Sequence, residues 1–338
     1  MTDRRADSIM PRLVEPTQDA IAEASRLLER GQLVVFPTET VYGLGADTTN
    51  AKAIELIYAL KGRPADNPLI AHVLDDVQAR RIVATWDDRC AVLSERFWPG
   101  PLTLVVTRGE TVGPSATAGL GTIAVRAPRH VVARALLRMF GRSISAPSAN
   151  RSGRVSPTTA GHVVADFPEA DELLVLDGGA CEIGIESTVL ELTGSTPRVL
   201  RPGAITVERL REVLGEVDAP QVTTQLASPG TTPHHYAPRT PAELVETAKL
   251  AQRLADGAPA AVLCFEPASV KPPHVPVPMP RSAEPYAARL YDALRTADAT
   301  GVSRIIIEQP QETHGPWAAI HDRLRRATGC ADLDGNDQ

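Results

Sequence analysis

The chain of 338 residues is long for one compact core, so its length predicts two domains. Hydrophobic residues make up 43% of it and charged residues 22%, which is typical of a globular protein in water. The net charge of -6 gives no general attraction to nucleic acid or anionic membranes, and 4% aromatic residues are too few for a surface that stacks on several bases.

The N-terminal part of the chain alternates between strand-like and helix-like patterns. Short aliphatic or β-branched runs bounded by Pro or Gly predict strands at residues 33–36, 69–73, 102–106, 122–126, 173–176 and 188–192. Helical spacing predicts a helix over 51–60, with Asn50 as its N-cap and Gly62 as its stop, and another over 129–140, ended by Gly141. This alternation predicts an α/β fold with a central sheet.

A second alternation begins at residue 242, after a stretch without periodicity that is rich in Pro, Thr, Ser and His. We expect strands at 260–265 and 305–307 and helices at 283–298 and 318–328, which predicts a small doubly wound parallel sheet. The predicted domains are therefore 1–214 and 242–338, joined by a linker or lid at 215–241.

The chain shows neither a membrane span nor a framework of disulfides. No run of about twenty apolar residues is present, and the residues after Met1 form no apolar leader. The four cysteines are dispersed without a CxxC pair, so we expect reduced thiols in a cytoplasmic protein.

The first candidate site follows the strand at 33–36, in the segment Pro37-Thr38-Glu39-Thr40-Val41-Tyr42-Gly43-Leu44-Gly45. Its hydroxyl and carboxylate groups are dense for a strand-to-helix turn, and Gly43 and Gly45 are expected to allow backbone conformations that are closed to other residues. A tight turn whose polar groups satisfy the local backbone explains the same composition. The density of polar groups favours a ligand site.

The second candidate is Lys61-Gly62-Arg63-Pro64-Ala65-Asp66-Asn67-Pro68, at the predicted end of a helix. If residues 61–63 are extended, Lys61 and Arg63 project to the same side and suit a triphosphate or a carboxylate. The alternative is that both cations compensate the helix dipole. Asn67 and His72 nearby add groups that hydrogen-bond a ligand.

The third candidate is Pro147-Ser148-Ala149-Asn150, which continues to Ser156. The two-residue spacing of Ser148 and Asn150 aims both side chains to one side of an extended segment, where they suit phosphate oxygens or a ribose. An ordinary Ser/Asn/Gly loop is the alternative.

The remaining candidate site residues are polar and lie outside these three motifs. Arg126 closes an apolar strand, so its cation must find an anion. Glu186-Ser187-Thr188 opens another strand, and Arg201-Pro202-Gly203 ends the first domain. His234-His235 has no third ligand at a suitable spacing, so zinc is rejected and no residue is predicted to ligate a metal.

Together these motifs resemble the YrdC/Sua5 family over nearly the whole chain. The residues that carry the resemblance are Phe36 to Gly45, Lys61-Gly62-Arg63-Pro64 with Asn67-Pro68-Leu69, Pro147-Ser148-Ala149-Asn150, Ser228-Pro229-Gly230, His235-Tyr236-Ala237-Pro238, Ala293-Leu294-Arg295 and Ala319-Ile320-His321-Asp322-Arg323-Leu324. One departure is Thr231-Thr232-Pro233, since the family carries a basic residue and an aromatic at the second and third of these positions. ATP affinity or closure of the linker is therefore expected to differ here.

The resemblance implies a two-domain enzyme that makes L-threonylcarbamoyl-AMP from L-threonine, bicarbonate and ATP and releases pyrophosphate. It implies a YrdC-like twisted-sheet domain with a central cavity and a small Rossmann-like Sua5 domain. Mg²⁺ is expected with ATP, and the downstream partner is the machinery that forms t6A in tRNA. A weak contact with RNA stays open, and no membrane is involved.

The resemblance also implies roles for individual residues. Lys61 and Arg63 are the expected catalytic groups. The expected L-threonine contacts are Thr40, His72, Arg126, Ser148 and Ser187. The expected ATP contacts are Arg63, Asn67, Thr122, Ser148, Asn150, Ser156, Arg201 and Tyr236.

Two other functions compete with this one. A protein that binds RNA without catalysis could use the same basic cavity as a phosphate dock, although the negative net charge and the few aromatic residues disfavour it. A related carbamoyl-transfer enzyme with another amino-acid acceptor is the third alternative.

Overall fold

The computed structural model describes residues 10–220 and 236–329, which form two sheets. The strands of the first sheet are β1 (Arg12–Val14), β2 (Val34–Phe36), β3 (Gly43–Asp47), β4 (Ile70–His72), β5 (Leu102–Thr107), β6 (Thr122–Arg126), β7 (Ile144–Ala146), β8 (Leu174–Leu176), β9 (Thr188–Glu191) and β10 (Arg198–Arg201). The helices of this region are α1 (Gln18–Glu29), α2 (Ala51–Lys61), α3 (Asp76–Ala79), α4 (Asp88–Phe97), α5 (Val131–Phe140), α6 (Ala160–Asp166) and α7 (Val207–Leu214).

The ten strands form one mixed sheet in the order β1-β8-β2-β3-β7-β4-β6-β5-β9-β10. The sheet combines parallel pairs such as β4–β6 with antiparallel pairs such as β3–β7 and β5–β6. The register sets His72 of β4 opposite Arg126 of β6. This pairing brings together two polar side chains that lie more than fifty residues apart in the sequence.

The second sheet is parallel and has four strands, in the order β11-β14-β12-β13. Its strands are β11 (Ala242–Glu246), β12 (Ala261–Cys264), β13 (Val275–Pro278) and β14 (Ile305–Gln309). Its helices are α8 (Thr247–Leu254), α9 (Ala283–Ala299) and α10 (Pro316–Thr328). The predicted α/β class and the predicted parallel sheet of the C-terminal part are confirmed.

Local signals placed many elements correctly. Asn50 caps α2 through a side-chain bond to the backbone N–H of Ala53, and Gly62 ends the helix in the left-handed conformation at φ 62°. Gly141 ends α5 in the same way at φ 72°. Strand β13 escaped prediction because its sequence alternates Val with Pro, a pattern that only an edge strand tolerates.

The alternative interpretation of residues 37–45 as a turn from a strand into a helix is wrong, and so is the expectation of special backbone conformations at Gly43 and Gly45. Residues 37–42 form a loop, and Gly43 and Gly45 belong to β3, which pairs antiparallel with β2. Neither glycine has a positive φ. A Cβ at Gly45 would lie 2.8 Å from both Phe36 and Ile144, so this glycine is required for close packing and not for a special backbone conformation.

The predicted boundary segment lies between the end of α7 at Leu214 and the start of β11 at Ala242. Of the predicted linker, residues 221–235 lie outside the described residues, and with them Thr231-Thr232-Pro233 and His234-His235. Within residues 10–220 and 236–329, no helix is long and apolar enough to cross a membrane.

Candidate active site

The loop between β2 and β3 supplies two buried threonines to a cavity in the first domain. Thr38 Oγ1 donates to the carbonyl of Val41 at 2.6 Å and accepts from the backbone N–H groups of Thr40 and Val41 at 3.2 Å. Its hydroxyl therefore closes the loop as a tight turn. Thr40, which is fully buried, is held by this turn with its hydroxyl 2.8 Å from that of Thr38.

A buried ion pair joins this loop to β6. The Nη2 of Arg126 lies 2.7 Å from Glu39 Oε1, while Nη1 donates to Thr40 Oγ1 at 2.9 Å and Nε to the carbonyl of Gly100 at 3.2 Å. The second oxygen of Glu39 accepts from the backbone N–H of Arg129 at 3.0 Å. Burial opposes ionisation of Glu39, but the charge of Arg126 and the hydrogen bonds that the carboxylate accepts together outweigh it and lower the pKa of this carboxyl group.

His72 is a neutral imidazole in the wall of the cavity. It is 4% exposed, and its ring packs edge-on against Phe36 at 5.6 Å. Burial, together with the charge of Arg126, lowers its pKa to about 3. Its Nδ1 is enclosed by the protein and has no hydrogen-bond partner among the described residues, so the ring contributes to the cavity wall without a charge.

Lys61 points into the protein. It is the last residue of α2 and is followed by left-handed Gly62, so residues 61–63 are not extended and the predicted same-side projection is wrong. Its Nζ donates to the carbonyls of Ser148 and Asn150. Burial, and then the charge of Arg63, lowers the pKa of this amine well below its usual value. Lys61 thus fixes the loop that carries Ser148.

Arg63 lines the cavity and is oriented by Asn67. Its Nε donates to the Asn67 carbonyl at 3.0 Å and its Nη2 to the carbonyl of Pro68 at 2.9 Å, with a further bond to the Asn67 side chain. Burial lowers its pKa to about 10, which leaves it charged at neutral pH. Asn67 therefore acts on the cavity through Arg63.

A second group of polar side chains lies at the start of β9 and the end of β10. Arg201 Nη2 donates to the carbonyl of Ser187 at 3.0 Å and to its hydroxyl at 3.1 Å. The same hydroxyl shares a 2.8 Å hydrogen bond with Thr103 of β5. Ser187 and Arg201 are consequently held together at one end of the cavity.

Glu186 is the carboxylate of this end. Its Oε1 accepts from Ser156 at 2.6 Å, and its Oε2 accepts from Tyr291 and from Arg323, each at 2.8 Å. Burial alone would raise its pKa, but Arg323 and then Arg201 lower it to about 2. Tyr291 and Arg323 belong to α9 and α10, so both domains neutralise this charge.

The cavity has an empty volume of about 500 Å³, a figure that includes the solvent in its open mouth. Its lining includes three arginines and a glutamate, which suits anionic ligands gripped by guanidinium groups. The predicted residues that line it are Thr40, Arg63, His72, Arg126, Ser148, Ser187, Arg201 and Tyr236.

The other predicted residues lie outside this lining. Lys61 and Asn67 hold lining segments as described above, and Ser156 binds Glu186. Asn150 donates its amide to the carbonyls of Arg151 and Arg154, each at 2.8 Å. Thr122 lines a separate small cleft beside Pro68.

Sequence reasoning assigned no role to Glu39, Glu186, Tyr291 or Arg323. The sequence did indicate that Arg126 has an anionic partner, because a cation at the end of an apolar strand requires an anion. That this partner is Glu39 depends on the approach of two segments 87 residues apart. Arg323 belongs to a motif of the family resemblance, but no local signal pointed to its partner, which lies 137 residues away.

The described residues contain no ready-made metal centre. Within residues 10–220 and 236–329, no group of three or more His, Cys, Asp or Glu side chains could hold a metal ion. Both oxygens of Glu186 already accept hydrogen bonds. A metal ion in this cavity would therefore take most of its ligands from a bound substrate or from water.

Two family models cover the chain. One, described as Telomere recombination and named for Sua5, yciO and yrdC, matches residues 26–203. The other, described as Threonylcarbamoyl-AMP synthase, C-terminal domain, matches residues 205–329.

Individual proteins match over nearly the full length. The threonylcarbamoyl-AMP synthase of Bacillus subtilis is 41% identical over 323 residues, covering 91% of this chain and 93% of the relative. The threonylcarbamoyl-AMP synthase of Pyrococcus abyssi is 39% identical over 325 residues, covering 90% and 93%. The crystal structure of P. abyssi Sua5 complexed with L-threonine superposes with a TM-score of 0.85 at 36% identity, covering 95% of this chain and 97% of that one.

Proposed function

Because the chain belongs to the Sua5/YrdC family of threonylcarbamoyl-AMP synthases, we propose that its cavity condenses L-threonine, bicarbonate and ATP to threonylcarbamoyl-AMP and pyrophosphate. The observation that carries this proposal is the lining of the cavity, where three buried arginines face one open space. The similarity to a structure that contains L-threonine supports the choice of amino acid.

L-threonine occupies the threonine half of the cavity, which we define as Thr40, His72 and Arg126, with Ser148 and Ser187 at its border. Arg126 uses three of its five N–H groups on Gly100, Thr40 and Glu39, so two remain for the substrate carboxylate. His72 lines the cavity and places a neutral imidazole beside the substrate. A neutral imidazole fits this place because it adds no charge beside Arg126.

ATP occupies the nucleotide half, which we define as Arg63, Arg201, Tyr236 and the Glu186–Ser156 pair. The two arginines offset the negative charge of the phosphates, and the pyrophosphate leaving group gains charge where their N–H donors are already fixed. Mg²⁺ enters with ATP as part of that substrate and takes its ligands chiefly from phosphate oxygens and water. Asn67, Asn150 and Thr122 stay predicted ATP contacts, which a bound nucleotide would test.

The reaction proceeds in two bond-forming steps. The deprotonated amine of threonine attacks the carbon of bicarbonate, and water is lost to give a carbamate. A carbamate oxygen then attacks the α-phosphorus of ATP, and the bond to pyrophosphate breaks. The protein supplies position and charge compensation, because no lining side chain is placed as a nucleophile. The product then passes to the cytoplasmic machinery that forms t6A in tRNA.

The reaction is tested by measuring pyrophosphate release with ATP, L-threonine and bicarbonate together and with each one left out. We expect release only with all three. Release without threonine, or none at all alongside tight RNA binding, would overturn the proposal. Serine in place of threonine distinguishes an enzyme with another acceptor.

The charge-compensating role of Arg63 and the positioning role of Lys61 are tested by Arg63→Ala and Lys61→Ala, with exposed Lys52→Ala of the same helix as the control. Loss of Arg63 should lower kcat/KM by about a hundredfold or more, as for removal of a donor to developing charge. Loss of Lys61 should act through the Ser148 loop and also cost more activity than thermal stability. Near-normal turnover of both variants would contradict this role.

A further inference from the structure

The C-terminal domain packs directly behind one wall of the cavity. Gly184, at φ 76°, lies so close to α9 that a Cβ would be 2.5 Å from the Cα of Ala288. One apolar cluster contains Val41 and Ile185 of the first domain together with Tyr286 and Leu290 of α9. The wall at residues 184–187 is therefore seated on α9.

Two side chains of the C-terminal domain reach through this interface to Glu186. Tyr291 Oη and Arg323 Nε each donate to Glu186 Oε2 at 2.8 Å, and both residues are fully buried. The other oxygen of Glu186 receives the hydroxyl of Ser156. The carboxylate is thus fixed from both sides, and Ser156 is fixed through it.

The same two residues hold Tyr236, which lies within the predicted linker. The Tyr236 ring stacks on Tyr291 with centroids 5.6 Å apart at 27°, and the guanidinium of Arg323 lies 5.2 Å from its centroid. Tyr236 has a φ of 62°, which a bulky residue keeps only when its surroundings impose it. Arg323 also donates to the carbonyl of Pro202 at 3.1 Å, next to Arg201.

We propose that Tyr291 and Arg323 are positioning residues for ATP, which act through Glu186 and Tyr236 and make the C-terminal domain part of the nucleotide half. This assignment to ATP rests on the proposed function. The threonine half has no such dependence, because the side chains of Arg126 and Thr40 bond only to each other and to residues 38, 39 and 100 among the described residues. Disturbing Tyr291 or Arg323 should consequently weaken ATP binding and spare threonine binding.

The chain offers a matched pair of variants for the test. Tyr291→Phe removes the hydroxyl that binds Glu186. Tyr286→Phe removes a hydroxyl from an equally buried tyrosine of the same helix, one that has no hydrogen-bond partner among the described residues. Both changes keep the ring, so packing in the shared cluster is preserved.

We expect Tyr291→Phe to raise KM for ATP by about tenfold, the loss typical of one hydrogen bond to a charged group. KM for L-threonine should stay within about twofold, as expected when no direct contact changes. Tyr286→Phe should leave both constants unchanged. Arg323→Lys keeps the charge but loses the planar fork, so it should raise KM for ATP less than Arg323→Gln does.

Calorimetric titration of Mg·ATP into wild type and Tyr291→Phe makes the result independent of turnover. An equal Kd in both proteins, or an equal rise of both KM values, would overturn the positioning role even with an active wild type. A wild type that binds ATP but releases no threonine-dependent pyrophosphate would overturn the proposed reaction, while the ratio of the two Kd values still decides the positioning role. A wild type without affinity for ATP would overturn both.

Discussion

In the two halves of the cavity, the arginines that neutralise a buried carboxylate come from different domains. Each contains a buried carboxylate neutralised by a buried arginine, Glu39 with Arg126 at 2.7 Å and Glu186 with Arg323 at 2.8 Å. Both members of the first pair belong to the first domain, whereas Arg323 comes from α10 of the second. The threonine half is thus complete within one domain, and the nucleotide half is completed by the other.

The difference shows what such pairs contribute. A buried ion pair repays its desolvation only with additional hydrogen bonds, so its contribution to stability over an apolar substitute is small. Its geometry, however, is specific. In the threonine half this specificity orients Arg126, and in the nucleotide half it fixes one domain against the other.

Glu39→Gln and Glu186→Gln should have the largest effects. Each leaves a buried arginine without its counter-charge and should lower the free energy of unfolding by about 3–5 kcal/mol. Glu39→Gln should raise KM mainly for threonine, and Glu186→Gln mainly for ATP. Urea unfolding and pyrophosphate release measure the two effects.

The exposed pair Arg12–Glu23 provides the control for these substitutions, since its side chains are 53% and 35% exposed. Glu23→Gln should cost less than about 1 kcal/mol, as exposed ion pairs do. If both buried variants raised both KM values equally, the proposed division of the cavity would be wrong.

Gly184→Ala tests whether packing at the domain interface affects the nucleotide half. The added methyl would meet the backbone of α9, so we expect a loss of stability about 1–3 kcal/mol greater than in Gly179→Ala. Gly179 has a similar φ of 82° but nothing within 4 Å of its Cβ position, so it reports backbone strain alone. KM for ATP should rise in the first variant only, and unchanged ATP kinetics there would argue against coupling across the interface.

His72 of the threonine half and Glu186 of the nucleotide half should affect the free energy of unfolding in different pH ranges. The pKa of His72 falls from 6.5 to about 3 on folding, so the unfolded chain binds more protons below pH 6.5 and acidification destabilises the fold. Glu186 contributes in the same direction only when the pH falls below its ordinary value of 4.5 towards 2. Between pH 7.5 and 5.5, wild type should therefore lose about 1.4 kcal/mol more stability than His72→Asn in urea unfolding. Equal losses would show that His72 is not held neutral.

Much of the fold was predictable because its signals are local. Asn50 and Gly62 marked the ends of α2 correctly, and the runs that became β5 and β6 were recognisable from aliphatic composition. The backbone conformations predicted for Gly43 and Gly45 were wrong, because glycine occurs both where the backbone needs special angles and where segments pack closely. Only the positions of Phe36 and Ile144 distinguish the two uses.

The sequence by itself determined the class of the fold, the motifs that mark the family, and eight predicted residues that line the cavity. Capping, periodicity and motif spacing are properties of neighbouring residues, so they are visible along the chain. The tertiary structure alone decided which charges meet. Glu39 and Arg126 are 87 residues apart, and Glu186 and Arg323 are 137 apart, so each pair exists only because the fold brings the two segments together in a buried place where an unpaired charge would be costly.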